Sequence, residues 1–222
     1  MEYIKEKIIE IIPSCCDIGF LSINNCSNEE QDLIKEIQNN TNTIIILAHH
    51  VKTSLEWAWF PLESERNNNT CGADLHTKNV LENIKYSLKD LGYSSSFVPY
   101  PGKCGIKMKN FANKTNLGKI GNNYLFLHNK WGSWTHLRLL LTDAIINENH
   151  ENKNNVCINC GKCIEACPAK AIENGNFNGI GCGDYQMSIW NGIENNYFWK
   201  CDECARVCPI GEPPISIKII KN

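Results

Sequence analysis

Thirteen cysteines stand in this chain, and eight of them crowd its last third at spacings suited to metal chemistry. Cys157, Cys160, Cys163 and Cys167 form a C-x2-C-x2-C-x3-C run closed by Pro168, and Cys201, Cys204 and Cys208 form a C-x2-C-x3-C run closed by Pro209. In the first spacing, three thiolates hold one [4Fe–4S] cube and the fourth reaches across to a second. Two intervening residues let a tight loop aim successive sulfurs at neighbouring irons, while three turn the next sulfur away. Proline then stops the chain from continuing as helix. The two runs supply seven thiolates, and Cys182 is the only other cysteine after residue 104, so it is the expected eighth. The reading assigns Cys157, Cys160, Cys163 and Cys208 to one cube and Cys167, Cys182, Cys201 and Cys204 to the other. Zinc ribbons with four-thiolate sites, or disulfides, are the competing readings.

These ligands must be held by a mixed set of elements. Periodicity predicts a helix over Glu2–Ile12, stopped at Pro13. Ser27-x-x-Glu30 is a capping box opening a second helix through Gln38. The β-branched, apolar run Thr43–Val51 predicts a buried strand. Residues 61–73 read as a polar exposed loop. Asp74–Leu91 predicts an amphipathic helix ending at Gly92. Ser95–Tyr100 reads as a strand, residues 106–115 as a short helix, and Tyr124–His128 and His136–Thr142 as strands joined across Lys130–Trp134. The polar stretch Asn147–Asn155 is the expected boundary, giving domains 1–150 and 151–222. Helices and strands do not alternate as βαβ units, which favours an α+β class.

Composition narrows the partners. The 222 residues suit one full domain plus a small one, and 42% hydrophobic content can bury a core. So many cysteines in a short secreted chain would suggest disulfides. The length, the lack of a signal peptide and the cluster spacing point instead to a reducing, cytoplasmic setting. No apolar run approaches the ~20 residues needed to span a bilayer, so no membrane is expected. A net charge of −2 gives no footprint for nucleic acid.

Two segments together resemble the epoxyqueuosine reductase and reductive dehalogenase superfamily. One runs Asn116-Leu117-Gly118-Lys119-Ile120-Gly121-Asn122-Asn123, then Gly132-Ser133-Trp134, then Leu141-Thr142-Asp143. The other is the pair of cysteine runs, with Cys182-Gly-Asp-Tyr185 between them and Phe198-Trp199-Lys200-Cys201-Asp202-Glu203-Cys204 opening the second. The resemblance covers roughly residues 105–210. It implies a nitroreductase-like α+β domain that binds cobalamin, beside a bacterial ferredoxin-like module with two [4Fe–4S] clusters. Gly118, Gly121, Asn122, Gly132, Ser133 and Trp134 would then meet the corrin, the glycines letting backbone approach a flat macrocycle. It also implies an external low-potential electron donor of ferredoxin or flavodoxin type, and a small-molecule substrate or a partner enzyme. There are two departures. The helical repeats with which epoxyqueuosine reductases grip tRNA are not expected here, so tRNA is not an expected partner. The stretch Val98–Gly105 also lacks the carboxylate that serves those enzymes as proton donor.

Within that stretch Tyr100 and Cys104 are the candidate proton donors, the first as a phenol over the cobalt face and the second as acid or nucleophile. Each is also readable as an ordinary packing residue. Trp57, Trp59 and Phe60 read as core or as a cofactor wall. Lys107, Lys109, Lys114 and Lys119 read as a solvated face or as contacts to a cofactor's polar groups. His49 and His50 are adjacent on a strand and face opposite sides, one core and one exposed. Cys15, Cys16, Cys26 and Cys71 lack ligand spacing and read as inert core thiols. An electron-transfer or activator protein without corrin is the alternative function.

Overall fold

The computed structural model describes residues 2–61, 69–100, 105–147, 155–173, 175–189 and 199–216. Its centre is a four-stranded antiparallel sheet ordered β1-β2-β8-β5, built from Cys16–Ser22 (β1), Thr43–His50 (β2), Thr135–Thr142 (β8) and Ser95–Phe97 (β5). The middle strand β2 is apolar almost without a break because both of its faces are buried. Ile45 and Leu47 face helices Glu2–Glu10 (α1) and Gly72–Asp90 (α4), against Ile4, Ile8, Leu81, Ile84 and Leu88. Ile44 and Ile46 face Asn28–Ile37 (α2), Met108–Ala112 (α5) and the hairpin of Gly118–Ile120 (β6) with Phe126–His128 (β7). Each such isoleucine contributes ~1.5–3 kcal/mol of burial. The expected α+β class holds.

Local signals explain the helix ends. Ser27 Oγ accepts from the Glu30 amide at 3.2 Å, while the Ser27 amide donates to Glu30 Oε2 at 2.8 Å, completing the expected capping box. Gly92, at φ +83°, ends α4 in the left-handed region that glycine adopts without strain.

Three expectations change. Residues 61–73 are not wholly loop: Trp59–Pro61 (β3) pairs with Asn69–Cys71 (β4), and Thr70, Cys71 and Ala73 are buried; residues 62–68 lie outside the description. Strand β1 was not anticipated, since Gly19 and Asp17 interrupt its pattern. The strands at 124–128 and 136–142 belong to different sheets: β7 pairs with β6, and β8 lies between β2 and β5. Leu139, Leu140 and Leu141 bury both faces of β8, so a central position suits it better than a hairpin edge.

The carboxyl-terminal region has short elements: Lys162–Glu165 (α6), a hairpin of Ile172–Glu173 (β9) with Asn176–Phe177 (β10), Gly179–Ser188 (α7) and Glu203–Arg206 (α8). The turn Ser54–Trp57 (α3) joins it to the sheet region. Ile215 pairs with Thr53 in a parallel bridge, and Trp199 Nε1 donates to the Ser54 carbonyl at 2.9 Å. At this junction backbone meets backbone at Gly132 and Gly211. A Cβ on Gly132 would lie 1.7 Å from the Ile210 carbonyl oxygen, and one on Gly211 would lie 2.2 Å from that of Trp131.

Gly132→Ala is therefore expected to lose more than the ~1–2 kcal/mol of left-handed strain alone. Gly92→Ala has a comparable positive φ but open space around it, so it isolates the strain. Urea midpoints followed by tryptophan fluorescence should shift further for the first variant; equal shifts would deny the contact its importance.

Candidate cluster and active site

Two cavities are each walled by four of the carboxyl-terminal cysteines. Cys157, Cys160, Cys163 and Cys208 line one of about 20 Å³, with Asn122, Asn123 and Pro209. Cys167, Cys182, Cys201 and Cys204 line another of about 100 Å³, with Trp57, Asn123 and Leu125. Short helices position the sulfurs: Cys163 lies on α6 and Cys204 on α8. Burial pushes the Cys204 thiol up to about 12, with Cys201, Cys167 and Cys182 adding to it, and raises Cys163, Cys201 and Cys208 as well. Four thiolates in one apolar hollow repel each other, so filling such a site with cations releases protons and couples metal binding to folding. Cys160 is exposed and marks the solvent side, whereas Cys167 is buried.

A larger cavity of about 430 Å³, within the ordinary range for small-molecule sites, opens beside the second cysteine cavity. Trp57 and Leu125 line both. The other walls are mainly apolar or aromatic, among them Trp59, Tyr100, Met108 and Phe126, with Lys107, Lys109 and Lys200 supplying charge. Trp59 stacks on Tyr100 at 6.0 Å, and Lys200 Nζ sits 3.6 Å from the centre of the Trp59 ring. Burial lowers the pKa values of Lys200 and Lys109.

Beside Tyr100 runs a buried polar chain, of which Cys71 and His136 also line the cavity. The Tyr100 hydroxyl meets Cys71, whose sulfur is 3.9 Å from Nδ1 of His136. His136 Nε2 lies 3.2 Å from Asp74 Oδ1, which Arg138 Nε also approaches at 3.3 Å, and Thr70 Oγ1 donates to Oδ2. Burial alone would lower His136, but its hydrogen bonds to Asp74 and Cys71 outweigh that and raise it to about 9. Burial would raise Asp74, yet His136 and Arg138 hold it below the usual carboxylate range. Burial, with Cys71 and Asp74 nearby, pushes the Tyr100 phenol far up, so it stays protonated.

Of the expected site residues, Tyr100 and Ser133 line this cavity, as do Lys107 and Lys109; Cys104 lies outside the described residues. Gly118, Gly121, Asn122, Gly132 and Trp134 do not line it, and the glycines have another reason to be small. Their missing Cβ atoms leave room for the chain itself: the Leu127 backbone beside Gly118, the Leu127 side chain beside Gly121, and the Ile210 carbonyl beside Gly132. Trp134 is buried, edge-on to Trp57 at 5.4 Å. Lys114 pairs with Glu30 and Lys119 donates to the Asn113 carbonyl, so neither serves the cavity. His49 and His50 face opposite ways as expected, but His50 is half-buried against Trp131 and not exposed. Cys15 and Cys16 contact His76 and His49, and burial pushes the Cys16 thiol up to about 12. The reading missed Cys71, Asp74, His136, Arg138 and Lys200. A signal existed for two of them, since His136 and Arg138 are polar residues two apart on a strand that is otherwise apolar.

Residues 156–211 match the family model of a 4Fe-4S dicluster domain. An epoxyqueuosine reductase of Aliivibrio fischeri is 31% identical over 141 residues, 60% of this chain and 37% of that protein. The chain thus matches little more than a third of the curated relative's length. The structure of epoxyqueuosine reductase from Streptococcus thermophilus superposes with a TM-score of 0.70 at 18% identity, covering 99% of this chain and 68% of that one. A reductive dehalogenase, whose structure is described as suggesting a mechanism for B12-dependent dehalogenation, superposes at 0.55 and 15% identity over 76% of this chain and 26% of its own. The resemblance is borne out in sequence for the epoxyqueuosine reductases and in fold for both these and a reductive dehalogenase. Among the described residues, no helix is long and apolar enough to cross a membrane.

The raised His136 makes stability depend on pH. Its contribution is complete below its ordinary value of 6.5 and fades as pH rises to about 9, at most about 3 kcal/mol. In urea titrations from pH 6 to pH 9.5, Asp74→Asn should start less stable and lose less over that window than the parent protein. Parallel pH profiles would show that Asp74 does not hold the imidazolium.

Proposed function

We propose that this chain is an iron–sulfur reductase in which two [4Fe–4S] clusters feed electrons to a cobalamin held in the 430 Å³ cavity. In this reading residues 1–150 form the nitroreductase-like domain and 151–222 the ferredoxin-like module. The first cube takes Cys157, Cys160, Cys163 and Cys208, and the second takes Cys167, Cys182, Cys201 and Cys204. The observation that carries the proposal is adjacency: the second cysteine cavity and the large cavity share Trp57 and Leu125, whereas the first cysteine cavity shares neither. A low-potential donor of ferredoxin or flavodoxin type docks by exposed Cys160, and electrons leave through the second cube.

The cavity's chemistry fits a corrin. Trp57, Trp59, Phe126 and Leu137 offer apolar faces to a macrocycle, and Lys107, Lys109 and Lys200 offer donors to its peripheral amides. When bound, cobalamin supplies a cobalt centre that is a strong nucleophile and reductant once fully reduced. The chain's own part is positioning, exclusion of water and protons. Tyr100 replaces the missing carboxylate: its protonated phenol faces the cavity, and Cys71, His136 and Asp74, linked to it one after another, resupply the proton.

One observation favours a second reading, a corrin-free electron carrier serving a partner enzyme. Gly118, Gly121 and Gly132 pack against the chain itself and do not supply the macrocycle cradle expected of them. Anaerobic isolation separates the two. About eight irons per chain, together with corrin absorbance and about one extractable cobalt after incubation with cobalamin, support the reductase. Trp59→Ala with Lys200→Ala should then lose cobalt and keep iron. Eight irons and no cobalt would establish the carrier instead.

For the ligand assignment, Cys182→Ala should cut iron to about half by removing one cube's fourth thiolate. Two intact cubes by iron count and EPR would dismiss Cys182 as a ligand.

A further inference from the structure

A second group of ligating side chains lies beneath the start of α4. Cys15 comes from the turn entering β1, Cys16 from the first position of β1, His49 from the end of β2, and His76 from α4. Their sulfur and ring-nitrogen atoms all lie within 4.8 Å of one another. Cys15 Sγ is 3.5 Å from His76 Nε2, and Cys16 Sγ is 3.6 Å from His49 Nδ1. A tetrahedral zinc ion, bonded to sulfur at about 2.3 Å and to nitrogen at about 2.0 Å, sets these atoms about 3.5–3.6 Å apart. Both of these separations match.

The backbone explains how adjacent cysteines can face one centre. The Cys16 amide donates to the Pro13 carbonyl at 2.8 Å, so Cys15 sits in a turn and escapes the alternation that sends neighbouring strand residues to opposite faces. Cys16 is the cross-strand partner of His49. The His76 ring lies 4.6 Å from that of His49, tilted by 38°. The other nitrogen of His49 is already engaged: Nε2 lies 3.1 Å from Glu56 Oε1. A carboxylate on the non-ligating nitrogen is the usual device for orienting a metal-bound imidazole. Glu56 is itself held by the amides of Lys52 and Thr53 at 2.7 and 2.9 Å.

We propose that Cys15, Cys16, His49 and His76 form a closed tetrahedral site for a zinc ion. Two thiolates balance the dication, so the site carries no net charge into the interior, and mixed sulfur and imidazole donors suit zinc. Four protein ligands leave no open position for substrate, which makes the ion structural. It ties the start of α4 to β1 and β2. Asp74 precedes His76 by two residues on that helix, so the same tie holds Asp74 over His136.

The test uses the full chain, purified anaerobically with its clusters and supplied with Zn²⁺. It should retain one zinc through gel filtration, with two sulfur and two nitrogen neighbours in zinc-edge X-ray absorption. Cys15→Ala and His76→Ala should each lose the zinc and keep the iron. Glu56→Gln preserves the capping of α3 and should weaken zinc binding by about 10–100-fold. Cys204→Ala should do the reverse, losing iron and keeping zinc. A four-sulfur shell, zinc that survives both ligand variants, or no retained zinc would overturn the site. None of these outcomes depends on cobalamin.

Discussion

The arrangement rests on a close approach of two stretches of bare backbone. Gly132 lies against the Ile210 carbonyl and Gly211 against that of Trp131, both nearer than any side chain permits. The contact falls two residues beyond Cys208, so it fixes a cysteine of the first cavity against the β7–β8 connection. Ser133 follows immediately and hydrogen-bonds both Cys208 and Asn123, and Asn123 lines both cysteine cavities. Trp134 comes next, edge-on to Trp57, which walls the second cysteine cavity and the large one. The three residues Gly-Ser-Trp therefore join the cysteine-rich module to the aromatic cavity. Their glycine is required by the chain's own contact, whether or not a macrocycle also meets it.

A second constraint is electrostatic. The register aligns Cys16 with His49 and His49 with His136, so polar groups cross three strands in one row on the face that α4 covers. Buried polar groups are tolerated only when partnered. The first turns of α4 supply partners in quick succession: Cys71 at its cap, Asp74 for His136 and Arg138, and His76 for Cys15. Losing one member would strand the others at a cost of several kcal/mol, as for any buried ion pair. That interdependence ties the start of α4 to the turn entering β1, to β2 and to β8 on the side where Tyr100 stands.

Legibility followed sequence separation. The cysteine runs were readable because ligand spacing is local, and the capping box at Ser27 and the stop at Gly92 are local as well. Strand β2 announced itself through an apolar run that needs no partner to be recognised. The Cys71–His136 and Asp74–His136 contacts join residues more than sixty positions apart, and only strand register with helix placement brings them together. The Cys15–His76 contact spans 61 positions and left no periodic trace. Strand β8 was found but mispaired, because its own sequence states that both faces are buried and does not say by what.

The phenol at the cavity wall sets a condition on the proposed chemistry. Burial makes Tyr100 a weak acid, with the charges of Cys71 and Asp74 reinforcing the effect and Arg138 opposing it. The Arg138 guanidinium lies 5.2 Å from the Tyr100 ring, and protonated His136 meets it edge-on at 5.1 Å. Arg138 favours the phenolate and so pulls the phenol's pKa down, but burial with Cys71 and Asp74 outweighs it and the resting group stays protonated. Such a donor gives its proton to a strongly basic centre and withholds it from a weakly basic one. Strongly basic centres arise when low-potential electrons have already arrived. Under the proposed function, a phenol buried this way would give up its proton only after the electrons had arrived.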